Sequence, residues 1–485
     1  MIKYVCFLFL LLSGCYPTRC SLEQERMEIA EDDIEWLDSY PPDLSHPLTL
    51  NEIIEIAVSR NLELFVKAEE YQIQEDQADK LRWALLPDLN WDYDDSHRSQ
   101  NTAAYSKFLN PALNVGPPLY QIGSPQHSRT WNLDLAWNVL DFGVTYFRGR
   151  QQENKASIEA YEYERIRNSV IFRVVSSYWL AVSSKLALER ANILLPEMLD
   201  QTEKLKKELV DHIYLSKSQG LGKLVYFYQR EIQVRGYNDR NDSSDPTQGY
   251  EKQLQDNLLQ LAGLMQLPPG AEFDIALPEA EELSIEAFLP PVRELFDYAL
   301  IYRPELFERD LEYKISADDV NIAILQQFPG VQLFNIDNFD NNPFLLHNKW
   351  YLAGVRTAWN LLQFPQNVMD HVIGVASEER DRRNRLLLSQ AVLTQVSLAY
   401  LQFVQNQEQF RIAESVVKAN QAVAALAEKE SAVGKKSKLE ALQAKIDLAL
   451  ARNNLMKIFA ELQNNLEELN NAIGLPRYYK TEGSP

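Results

Sequence analysis

Few residues of this 485-residue chain have the type and spacing that chemistry requires. Its three cysteines (Cys6, Cys15, Cys20) and six scattered histidines form no cluster with metal-ligand spacing. No phosphate-cradling glycine loop and no GxSxG elbow is present. The abundant carboxylates follow helix and solvation statistics and suggest no catalytic pair. No catalytic residue, cofactor or metal site is expected, and the chain does not read as an enzyme. Two other chemistries remain: a thiol such as Cys15 can carry an acyl chain, and carboxylates gathered on one face can set the local electrostatic potential. Asp92, Asp94 and Asp134 are candidates for the second, as is Glu440.

Strands are needed to hold the aspartates on one face. In "TWNLDLAWNVLDFG" (130–143), Trp131, Leu133, Leu135, Trp137 and Val139 alternate with Asn132, Asp134, Ala136 and Asn138. "LNWDYDD" (89–95) likewise sends Leu89, Trp91 and Tyr93 one way and Asn90, Asp92 and Asp94 the other. "RTAWNLL" (356–362) keeps the alternation from Thr357 to Leu361 and includes Trp359, whereas "VQLFNIDNF" (331–339) is ambiguous. An apolar, Trp- and Tyr-flanked face opposite a polar one suits a membrane-spanning barrel strand. The same alternation suits a soluble, half-buried sheet.

With 48 Lys and Arg against 69 Asp and Glu, the net charge is −21, which argues against a nucleic-acid partner. Low glycine content (17 residues) and long stretches rich in Glu, Gln, Leu, Ala and Lys favour helix. Beyond the N-terminus, no run is expected to have the length and purity of a spanning helix. Any crossing by the mature chain would then use strands. The N-terminus carries a basic "MIK", an apolar "YVCFLFLLL" and "LSGC" (12–15), which resembles a bacterial lipobox with Cys15 as the acylated residue. Tyr16 follows where inner-membrane retention commonly uses Asp, so that resemblance implies the outer membrane.

The chain also repeats itself. "AWNVLDF" (136–142) returns as "AWNLLQF" (358–364), 222 residues on, and Val170, Val174, Tyr178 and Val182 answer Val392, Val396, Tyr400 and Val404 at the same offset. Pro87 and Pro329 are 242 apart, and Gly220 and Gly434 are 214 apart. The boundaries expected are a leader (1–14), a tether (15–47), repeat 1 (48–270), a linker (271–290), repeat 2 (291–476) and a tail (477–485). Each repeat should hold a helix up to a proline (50–86; 292–328), two strands (the second at 131–140 or 350–362) and a helix of about 70 residues. A turn at Gly220 or Gly434 and a return helix complete it. At 1.5 Å per residue the long helices reach ~100 Å, which no compact globule contains, so they must pack lengthwise. The fall in offset from 242 to 222 puts 20 extra residues in repeat 1, within 101–128, read as a surface loop. A flexible excursion is expected at 237–250.

A lipobox leader with two copies of helix, strand, strand, long helix and return helix resembles the TolC-type outer-membrane efflux protein family over about 48–476. The resemblance implies a mainly α chain with a small transmembrane β part. Three such chains would form a homotrimer with a twelve-stranded barrel and an α-helical tunnel. It implies a passive exit duct for efflux or secretion, with a periplasmic adaptor protein, an inner-membrane transporter and outer-membrane lipid as partners. By the same resemblance Gly220, Leu221, Gly434 and Lys435 would form the adaptor-docking tip. Glu440 and Gln443 would line the periplasmic gate, where Gln443 is neutral at a position the family often fills with an acid. Asp92, Asp94 and Asp134 would face the lumen, and Trp91, Trp131, Trp137 and Trp359 the lipid. The rival reading is a lipid-anchored, exported coiled-coil interaction or adhesin protein.

Overall fold

The computed structural model describes residues 22–38, 42–105, 116–117, 120–210, 217–236, 249–268, 270–278, 289–435 and 437–475. Cys15 and the leader lie outside these. Helix α1 (Leu22–Asp38) occupies part of the expected tether. The helix anticipated before each first strand is two helices in both repeats: α2 (Leu50–Arg60) and α3 (Leu62–Trp83), then α7 (Val292–Tyr302) and α8 (Pro304–Leu325). The breaks have local causes. Asn61 adopts extended backbone, and its side chain accepts a 3.0 Å bond from the Leu64 amide. In the second repeat Arg303 is extended ahead of Pro304, as a residue preceding proline prefers. Helix α2 opens on a capping box in which Thr49 and Glu52 each accept from the other's backbone amide.

Strands β1 (Asp88–His97), β4 (His127–Asn138), β5 (Gly330–Asp340) and β6 (Lys349–Ala358) form one antiparallel sheet in the order β1–β4–β5–β6. Within the 20-residue excess, β2 (Thr102–Ala104) and β3 (Gln121–Ser124) pair as a separate hairpin. The two long helices are α4 (Val139–Val210) and α9 (Phe364–Ala432). The first return helix is split into α5 (Lys217–Arg235) and α6 (Tyr250–Leu264), and most of the anticipated excursion at 237–250 lies outside the described residues. The second, α10 (Lys438–Ile473), runs unbroken. One expectation fails: α9 holds an 18-residue window apolar enough, by length and composition, to cross a membrane. Counting contiguous apolar residues overlooks a stretch such as 386–404, which mixes Ser, Thr and Gln with apolar residues but carries no charge.

Two compact units arise, each drawing on both repeats. One holds residues 1–64, 166–299 and 393–485, with a core around Val170, Val174, Tyr178, Val182, Leu261 and Phe459. The repeated valine stripe is fully buried in the first copy. In the second, Val392 and Val396 are buried, whereas Val404 is exposed. The other unit holds 65–165 and 300–392, with the sheet. Its helices meet through polar side chains: Gln152 donates to Gln77 at 3.0 Å, Gln151 to Asp319 at 2.6 Å and Tyr313 to Glu378 at 2.9 Å, and Arg150 pairs with the fully buried Asp318.

Candidate functional site: the sheet and the far helix turns

Residues directly opposite each other in a sheet share a face, so the register assigns every strand side chain to one of two faces. One face carries the rows Tyr93–Trp131–Phe339–Lys349, Trp91–Leu133–Asp337–Tyr351, Leu89–Leu135–Asn335–Ala353 and Trp137–Leu333–Val355. Trp131 stacks on Phe339 at 5.9 Å, with Trp91 and Tyr93 beside them at the same end. Six residues along β4, about 20 Å of strand, Trp137 meets Phe142 edge-on at 5.7 Å. Trp359 and Phe364 repeat that pair at 6.3 Å, although β6 ends at Ala358 and Trp359 therefore lies just past the strand rather than within it. Aromatic rows thus bound an apolar band at both ends. Asn335 and Asp337, from the stretch whose pattern was ambiguous, interrupt it.

The opposite face carries Asp94–Thr130–Asp340, Asp92–Asn132–Asn338–Trp350, Asn90–Asp134–Ile336–Leu352 and Asp88–Ala136–Phe334–Gly354. Asp92, Asp94 and Asp134 therefore share a face, turned from Trp91, Trp131 and Trp137. Asp134 Oδ1 is buried with no hydrogen-bond partner among the described residues. Phe334 lies over Gly354, where a Cβ would come within 2.9 Å of its ring, and the Arg356 guanidinium sits 5.2 Å from the Phe334 ring centroid, a cation–π contact. Among the described residues, both edges of the sheet, β1 and β6, have a partner on one side only.

At the turn after α9, Gly434 has φ +72°, and the Lys435 and Gly434 amides bond back to the carbonyls of Glu430 and Ser431. That is a Schellman cap, which favours glycine. Lys435 is exposed. Ser437 caps α10, and Glu440 closes the capping box, its amide 3.2 Å from Ser437 Oγ. Glu440 therefore has a structural task whatever else it does. Gln443, one turn on, is half-buried. Gly220 departs from expectation: it is buried within α5 in helical backbone, because the helix begins at Lys217 and residues 211–216, outside the described set, precede it. Leu221, beside it, is 53 % exposed. A polar tie went unread in the sequence: Asp447 of α10 accepts from Tyr226 at 3.2 Å and pairs with Arg230 at 3.1 Å, both on α5. Its partners are more than 200 residues apart, and no local pattern marks them.

Residues 295–475 match the family model described as outer membrane efflux protein. Most of the chain matches solved structures of outer-membrane channels. Similar structures include the outer-membrane channel OprN (16 % identity, 88 % of this chain and 89 % of that one, TM-score 0.64) and the Campylobacter jejuni CmeC outer membrane channel (13 %, 90 % and 90 %, 0.64). The Neisseria gonorrhoeae MtrE channel, in its open state, is a third (14 %, 88 % and 89 %, 0.64). The chain has the fold of the outer-membrane efflux channels. The resemblance seen in the repeats holds for this fold along most of the chain, and the family match covers nearly all of repeat 2. No curated protein sequence matches. The family match and the efflux-channel fold agree on an outer-membrane protein.

Proposed function

We propose that three copies of this chain form an outer-membrane exit duct that conducts solutes passively from periplasm to exterior. The observation that carries this reading is the sheet: four strands with an aromatic-bounded, mostly apolar face, an opposite face rich in Asp and Asn and, among the described residues, two unpaired edges. An open edge is not tolerated in lipid, and four strands are too few to close around water. Strand β6 runs opposite to β1, so β6 of one copy meets β1 of the next in the antiparallel sense, and three copies close twelve strands. Trp91, Trp131 and Trp137 then face lipid, and Asp92, Asp94 and Asp134 the lumen. In this reading the turns near Leu221, Gly434 and Lys435 receive a periplasmic adaptor, and an inner-membrane transporter supplies the energy. Cys15 carries the lipid. Ions are the simplest probe of the passage. Purified protein should give discrete channel steps in a planar bilayer, and Glu440→Ala should reduce cation preference or loosen closure. Channel activity with unchanged selectivity and conductance in that variant would remove Glu440 from the gate, and no conductance from the parent protein would contradict the duct.

A further inference from the structure

The loop between β5 and β6 exposes three consecutive apolar residues: Phe344 at 54 %, Leu345 at 37 % and Leu346 at 90 %. Such a run is costly in water unless something covers it. Its shape is held by hydrogen bonds. The Asn342 amide donates to Asp340 Oδ1 at 2.9 Å, and the Phe344 amide donates to Asn342 Oδ1 at 3.0 Å. Asn348 Nδ2 donates to the carbonyls of Asp340 and Asn342 at 2.6 and 3.0 Å. Asn342 Nδ2 also reaches the Gly123 carbonyl at 2.9 Å, which fastens the loop to its own β2–β3 hairpin. The chain's own hairpin therefore already occupies its place, and Phe344–Leu346 stay exposed among the described residues. That hairpin itself exposes Tyr105 (48 %), Tyr120 (65 %) and Ile122 (43 %), with the two tyrosines packed edge-on at 5.4 Å.

The sheet order says what comes next to the loop. The loop leads directly into edge strand β6, and the hairpin follows directly on the other edge strand, β1. Antiparallel pairing of β6 with β1 of the next copy brings the Lys349 end of one strand beside the His97 end of the other, about 4.8 Å away. We infer that Phe344–Leu346 clasp the β2–β3 hairpin of the neighbouring copy, so that loops and hairpins alternate in a closed ring at the strand ends. This rests on the three-copy reading above. It gives the extra residues of repeat 1 a task, that of locking adjacent copies through apolar contact beyond the backbone pairing.

The test uses the full chain in detergent, in a Cys6→Ala, Cys15→Ala, Cys20→Ala background, with Leu346→Cys and Tyr120→Cys together and a short bismaleimide as linker. The double variant should run as covalent dimer and trimer on a denaturing gel, and each single variant as monomer. A three-copy native mass with only intrachain linkage, or with none, overturns the clasp and leaves the trimer standing. Linkage of single variants would point to random collision and overturn it too. A native mass other than three copies removes the trimer, and the clasp with it. As a second reading, Leu346→Asp should lower the temperature at which the trimer dissociates in detergent; an unchanged temperature counts against the clasp.

Discussion

Glu52 illustrates how much a single side chain near a helix start can be shifted by geometry alone. The Thr49 amide, then the Thr49 hydroxyl and His46, hold its carboxyl at about 2 in place of the ordinary 4.5. Because the folded form is the more acidic, the cap's contribution is complete above pH 4.5 and disappears as pH falls through about 2. An NMR titration of Glu52 should therefore show a midpoint near 2, moving up towards 4.5 in Thr49→Ala. A midpoint near 4.5 in the parent protein would mean the cap does not form in solution. The alternating Trp and Asp positions were visible in the sequence, because they depend on spacing within one element, whereas the Thr49–Glu52 cap was not read from it. Asp337 and Asn335 were not legible in the same way. Their stretch alternates weakly, and only pairing with β4 and β6 fixes which face they take.

Elements were legible wherever the two copies carry the same local signal. Both long helices and the proline before each first strand follow the repeat offsets, and each long helix ends in the same region of its repeat. The glycines do not behave alike. Gly434 stands at φ +72°, whereas Gly220 is helical, so equal residues at repeat-related positions do not guarantee equal backbone. The break at Asn61 leaves no mark in the apolar pattern, since a single extended residue makes no gap in it, whereas the break at Arg303 is marked by Pro304, a signal that the apolar periodicity across it overrides. For Gly434, adding a Cβ in the left-handed region costs about 1–2 kcal/mol, and no neighbour within 4 Å adds to it. Gly434→Ala should accordingly raise amide exchange about 5- to 30-fold in the turn and its flanking helix ends, as read by hydrogen–deuterium exchange with mass spectrometry. Unchanged exchange there would mean that the Schellman cap is not what holds the turn.

At the scale of the molecule, the repeat offsets show the order of the main elements, but neither their splitting into shorter helices nor how they associate. Each compact unit is assembled from both repeats, a long-range outcome that no spacing within one repeat encodes. The same limit applies to assembly. The unpaired edges of β1 and β6 and the apolar, aromatic-bounded face make a lone chain incomplete as a membrane element, and only a count of copies decides how it is completed. The most direct measurement is the native mass of the detergent-solubilised Cys15→Ala protein, corrected for its detergent belt. The account predicts three copies and a continuing need for detergent without the lipid anchor. A water-soluble monomer or dimer would contradict it, and would mean that Trp91, Trp131 and Trp137 pack against protein rather than lipid.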